Sequence, residues 1–90
     1  MVAHGEVIIV NKLGLHARAA AKFVTLASRF ESEVRVVRGG REVNGKSIMG
    51  IMMLAASRGT ALEIVADGAD EETALVQLSN LVAERFGESE

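Results

Sequence analysis

Apolar and polar positions repeat along this chain with two periods. Glu6 to Val10 is a β-branched run closed by Asn11, which predicts a strand. Asn11 to Leu15, with Gly14 inside it, reads as a loop. From Ala17 to Phe30 the positions Ala20, Phe23, Val24, Ala27 and Phe30 recur three and four apart, which predicts a helix with one buried face. Lys22, Thr25, Ser28 and Arg29 take its other face. Glu33 to Arg38 alternates, with Val34 and Val36 on one side, and Arg41 to Val43 resumes as a short strand. Gly39-Gly40 between them is a hairpin signal.

Ser47 to Ala55 predicts a short helix with Ser47 as its N-cap. Ala61 to Ala66 alternates again and reads as a strand. Asp70 to Phe86 predicts a helix whose apolar face is Ala74, Leu75, Leu78, Leu81, Val82 and Phe86. Gly87 caps it, and Glu88 to Glu90 are expected to fray. The order is β-α-β-β-α-β-α. Two layers, an open antiparallel sheet with helices on one face, satisfy every apolar stripe, so the fold class is α+β. No internal repeat, linker or low-complexity stretch interrupts the pattern, and residues 1–90 read as one domain.

Composition narrows the possibilities. A hydrophobic fraction of 49% supports a core and argues against disorder. The formal net charge of −2 and the lack of a basic block argue against nucleic-acid binding. Trp and Tyr are absent, so there are none of those rings for bases or sugars to stack on. With no Cys and only His4 and His16, neither a disulfide scaffold nor a zinc site is expected, and no cofactor is implied. The first residues lack a basic stretch followed by an apolar one, and no apolar run approaches the ~20 residues that span a bilayer. A soluble cytoplasmic protein with no membrane partner is the expectation. His4, in a mobile N-terminal stretch, is assigned no role.

Two constellations could carry chemistry. The first is Gly14, His16, Ala17 and Arg18. Helix starts offer unpaired N–H groups and the positive end of the helix dipole, where a phosphate can rest. Imidazole can carry a phosphoryl group covalently, and the Arg18 guanidinium adds a charge-assisted partner. The plainer alternative is that His16 only caps the helix and Arg18 is solvated. The second is Ser47 to Ala56, apolar or glycine throughout after the serine. A short helix on a sheet buries one face, so some of Ile48, Met49, Met52 and Met53 must be exposed. Such a patch suggests a docking surface, and methionine adapts to several partners. Burial within a sandwich or a homo-oligomer is the alternative. Ser47 is either an N-cap alone or also a phosphorylation site, whose added charge would oppose docking while the helix dipole keeps the fold intact. Lys46, Arg41 and Arg58 either supply positive charge around this face or are simply solvated.

Taken together, Gly-Leu-His-Ala-Arg and, from Gly45 on, Gly-Lys-Ser-Ile-Met-Gly resemble the HPr family, the histidine phosphocarriers of the bacterial phosphoenolpyruvate-dependent phosphotransferase system. The resemblance covers nearly the whole chain. It implies an open-faced β-sandwich, with a four-stranded antiparallel sheet and three helices on one side. It implies that His16 accepts a phosphoryl group on Nδ1 from enzyme I and passes it to an enzyme IIA, with Arg18 against the phosphohistidine. Ser47 corresponds to the serine modified by an HPr kinase/phosphorylase. Ile48, Met49 and Met52, with Ala17, correspond to partner-binding positions. The protein would be a phosphoryl carrier rather than an enzyme, and a monomer. Many members have proline after the arginine, where this chain has Ala19. The Ala-Ala-Ala-Lys-Phe and Ser-Ile-Met-Gly-Ile-Met-Met-Leu runs look more like the nitrogen-regulatory branch than the sugar-dedicated one. The rival reading is a regulatory binding module gated at Ser47, with His16 idle.

Overall fold

A sheet with one buried face dictates the arrangement of every other element. The computed structural model describes residues 2–90. Its elements are β1 (Ala3–Ile8), α1 (Ala17–Ala27), β2 (Glu33–Arg38), β3 (Arg41–Asn44), α2 (Ile48–Met53), β4 (Ala61–Asp67) and α3 (Glu71–Ala83), followed by a 3₁₀ turn at Arg85–Gly87. The four strands form one antiparallel sheet in the order β1-β4-β2-β3. Register sets Val7 opposite Leu62, Val36 opposite Ile64 and Val34 opposite Ala66, so one face is continuous apolar surface. Phe23, Ala20 and Ala27 of α1, Ile51 of α2, and Leu78 and Val82 of α3 close over it. The three helices therefore share one side. The opposite face is wet and carries ion pairs, Arg35 with Glu33 at 3.5 Å and with Glu42 at 3.7 Å. Exposed pairs of this kind add little stability.

The boundaries depart most from the sequence expectation at β1, α1 and α3; elsewhere they shift by at most two residues, α2 ending at Met53 instead of Ala55. β1 begins at Ala3, because Ala3 and His4 pair with Ala66 and Val65 of β4. His4 is thus held in a strand, with Nδ1 3.1 Å from Glu63 Oε2, instead of lying in a mobile segment. Ile9 and Val10 fall outside the strand, although Ile9 still donates to Thr60 O at 2.9 Å. α1 ends at Ala27, since Arg29 and Phe30 bond back only three residues, which tightens the last turn into 3₁₀ geometry. α3 stops at Ala83, and Phe86 reaches the core from the following turn.

Two fixings matter for the site. Gly14 has φ +69°, and a Cβ there would stand 2.6 Å from Ala56 O. That close approach lets Leu15 N donate to Ala56 O at 2.9 Å, which pins the loop before α1 against the segment after α2. At the other end of α1, Asp70 does not cap its own helix with its side chain. Its carboxylate instead accepts from Ser32 Oγ, Ser32 N and Glu31 N. The Ser32 hydroxyl, then the backbone N–H of Glu31, hold the Asp70 carboxyl below the usual carboxylate range.

Two expectations follow from these fixings. Gly14→Ala should cost about 2 kcal/mol or more, from the left-handed backbone and the contact with Ala56 O, read as a lowered denaturation midpoint. An unchanged midpoint would mean the loop re-forms with another geometry. Asp70→Ala should lower Tm near neutral pH. Because the native carboxyl titrates below the unfolded one, its contribution is present above the unfolded pKa and lost as pH falls through the folded one. The Tm gap between parent and variant should therefore close in acid, and a gap that persists there would contradict the carboxylate as its source.

Candidate functional site

The loop Asn11–Leu15 turns the chain from β1 into α1 and sets His16 at the N-cap, with φ −74° and ψ 175°. His16 O takes the first helical bond, from Ala20 N at 2.9 Å. Its side chain makes no capping bond, and the N–H groups of Ala17, Arg18 and Ala19 donate to no acceptor among the described residues. They are the orphan donors every helix start leaves, and the dipole adds partial positive charge there. The helix forms because Ala17 to Ala21 are strong helix formers around one arginine. Ala19 is fully buried, so the position where the resemblance leads one to expect proline packs a methyl group into the core.

The imidazole is about 29% exposed and opens on a shallow concavity lined by Lys12, Leu13, Arg18, Glu88, Ser89 and Glu90. Arg18 is exposed and makes no ion pair among the described residues, so its guanidinium is available to an anion in that concavity. His16 Nε2 is hydrogen-bonded to Glu88 Oε2. The other carboxylate oxygen accepts from Asn11 Nδ2 at 3.0 Å, and the same amide donates to Gly14 O at 2.8 Å. The bond from His16, followed by that from Asn11, holds the Glu88 carboxyl below the usual carboxylate range, against the opposing effect of partial desolvation. Nδ1 of His16 has no partner among the described residues.

Glu88 is therefore ordered, which corrects the expectation that residues 88 to 90 fray. Fraying assumes that a chain leaving a helix finds nothing to bind. Here Glu88 finds an amide and an imidazole, and Glu90 O accepts from Lys12 N. Asn11 and Glu88 were not legible as site residues, because 77 and 72 positions separate Glu88 from its two partners. The local hint was Phe86-Gly87, an apolar anchor before a residue that tolerates chain reversal.

The second constellation lies beside α1 on α2, outside the concavity. Ser47 caps α2, accepting from Gly50 N at 3.0 Å. Ile51 is buried, whereas Ile48, Met49, Met52 and Met53 are exposed, Met49 to 76%. Ala17 is exposed on the first turn of α1, and Leu13, 69% exposed, extends the apolar surface toward His16. Arg41 donates to Met53 O at 3.1 Å, and Arg38, which the pattern had not singled out, donates to Leu54 O at 2.7 Å. The two guanidinium groups satisfy carbonyls at the end of α2. Lys46 donates to Phe30 O at 2.7 Å, while Arg58 is exposed and unpaired among the described residues. Among the described residues no three His, Cys, Asp or Glu side chains gather as a metal site, and no helix is long and apolar enough to cross a membrane.

Comparison with known proteins bears directly on this geometry. The family model described as the HPr component phosphorylation site of the phosphotransferase system matches residues 3–84. The phosphocarrier protein HPr of Neisseria meningitidis serogroup A is 57% identical over 82 residues, covering 91% of this chain and 92% of that one. The crystal structure of an HPr from Thermoanaerobacter tengcongensis superposes with a TM-score of 0.94 at 45% identity, covering 98% of this chain and 99% of that one. Crh of Bacillus subtilis, described as a domain-swapped dimer, aligns with a TM-score of 0.76 at 50% identity over 82% of this chain and 85% of its own. With a matching family model over most of its length, close relatives and the same fold, this chain belongs to the HPr family of phosphocarriers of the phosphotransferase system.

Proposed function

We propose that His16 is the phosphoryl-accepting residue of this phosphocarrier, taking the group from phosphorylated enzyme I on Nδ1 and passing it to a histidine of an enzyme IIA. The observation that carries the reading is the partly exposed imidazole at the start of α1, beside the unpaired N–H groups of the first turn and a free guanidinium. The Nδ1 lone pair attacks phosphorus as the bond to the donor nitrogen breaks, and its electron pair returns to the donor. The exposed first-turn N–H groups of Ala17 and Arg18 and the Arg18 side chain receive the phosphoryl oxygens, which is stabilisation by position and charge. Stabilisation has to stay moderate, since the group must leave again. The chain acts as a stoichiometric carrier and needs no metal or cofactor of its own.

Ile48, Met49 and Met52, with Ala17, form the surface that enzyme I and the IIA protein share in turn. Its support is the exposed apolar run on α2 next to α1. Ser47 is the regulatory phosphorylation site, the target of an HPr kinase/phosphorylase. Its hydroxyl stands at the edge of that surface, and a phosphate there would set roughly two negative charges beside it. We take the acting form to be a cytoplasmic monomer of one domain over residues 1–90, since a single chain presents both the imidazole and the α2 surface to a partner.

Incubation with phosphoenolpyruvate and enzyme I should place one acid-labile phosphoryl group on the chain, absent in His16→Ala. Label that persists in that variant, or none in the parent, would refute the carrier role assigned to His16. Ser47→Asp should slow acceptance from enzyme I on the order of tenfold, through charge placed at the docking edge. Asp caps helices as well as Ser, so thermal stability should change by less than about 0.5 kcal/mol. An unaltered acceptance rate would remove Ser47 as a switch.

A further inference from the structure

The feature left over by that reading is the carboxylate on the imidazole. Glu88 does not reach His16 by continuing α3. The chain turns through Arg85, Phe86 and Gly87 with φ of 58°, 54° and 79°, all left-handed. For the two non-glycine residues that conformation costs about 1–2 kcal/mol each. The turn is held by Phe86, which is 1% exposed in the core, and by Lys22 Nζ, which donates to Phe86 O at 2.7 Å. A strained segment over-determined by its surroundings, and delivering one side chain to a reactive group, motivates a functional role.

We propose that Glu88 is the positioning residue of His16: its carboxylate accepts the Nε2 proton, fixes the tautomer, and so leaves the lone pair on Nδ1. A neutral imidazole has one N–H, and the partner of one nitrogen decides the state of the other. Asn11 makes the arrangement directional. Its Nδ2 donates to Glu88 Oε1, so Oε2 is the oxygen left to face Nε2. When Nδ1 takes the phosphoryl group, the Nε2 proton stays on the ring, and the ring gains positive charge that the adjacent carboxylate offsets. When the group leaves for the next acceptor, the electron pair returns to Nδ1 and the proton is unmoved. Lys12, Arg18 and Glu90 on the rim, and Lys22 near Glu88, are the other charged groups facing this pair. The inference rests on His16 Nδ1 being the acceptor.

The arrangement makes an unusual ordering of variants. In Glu88→Gln, Asn11 Nδ2 still requires an acceptor, so the new amide turns its oxygen to Asn11 and its NH₂ to His16 Nε2. The imidazole must then accept at Nε2 and carry its proton on Nδ1, the reacting nitrogen. Glu88→Ala merely exposes Nε2 to water and leaves a mixture of tautomers. Glu88→Gln should therefore be the worse variant, losing about tenfold or more in the acceptance rate at saturating phospho-enzyme I, with Glu88→Ala losing less and KM steady in both. Glu88→Asp should recover part of the rate.

The direct readout is the ¹⁵N spectrum of His16 in the unphosphorylated full chain, at a pH where the ring is neutral. It should report Nε2–H in the parent, Nδ1–H in Glu88→Gln and a mixture in Glu88→Ala, with Tm and amide spectra confirming that each variant folds. The parent tautomer on Nδ1, or a Glu88→Gln chain that keeps Nε2–H and accepts phosphoryl at the parent rate, would overturn the proposal. Since the spectrum needs no enzyme I, correct tautomers in a chain that is never labelled would count against the carrier reading of His16 and leave the Glu88 contact established.

Discussion

The constraint behind everything else is that the four-stranded sheet has one apolar face and too little covering for two. Val7, Val34, Val36, Leu62, Ile64 and Ala66 line that face, and all three helices must lie over it. The connections then lie outside the packed layers, and α1 starts with Ala17 and Arg18 exposed. Burial at roughly 25 cal/mol per Å² of apolar surface makes this the dominant favourable contribution. The site therefore borrows its rigidity from the core: Ala19 and Ala20 are fully buried one turn below an imidazole that is not.

α2 obeys the same constraint differently. With six residues it can bury little more than Ile51, and Ile48, Met49, Met52 and Met53 have nowhere inward to go. Its end is held by guanidinium donors from β2 and β3, where a longer helix would hold itself by packing. The exposed apolar surface next to α1 is thus a by-product of a short element on a one-sided sheet. Under the proposed function, that surface is what a carrier would offer in turn to more than one protein.

Most of the fold was legible in the pattern, because period-two and period-3.6 repeats are local and strong here. The four strands, the three helices, the Gly39-Gly40 hairpin and the Ser47 cap all follow from neighbours in sequence. His4 was misplaced because its pairing to β4 comes from residues 61 positions away, in a stretch with no apolar run of its own. The half of the site carried by Gly14, His16 and Arg18 was equally local. The half carried by Asn11 and Glu88 was not: a lone Asn after a strand and a Glu near two others look like solvent-facing residues. What joins them is the reversal at Phe86, which no periodicity announces.

That reversal separates two quantities that are easily treated as one. Two non-glycine residues at positive φ raise the free energy of the closed turn, and its closure depends on one phenylalanine and one lysine. Opening it costs less than unfolding the sheet and helices, so the segment from Arg85 onward has its own local equilibrium. The fraction of molecules whose imidazole is bridged is then set by how well Phe86 seats and Lys22 grips. Two chains of equal melting temperature can hold different populations of ordered sites. Readiness in this fold is a matter of local occupancy, and the core decides only that there is something to occupy.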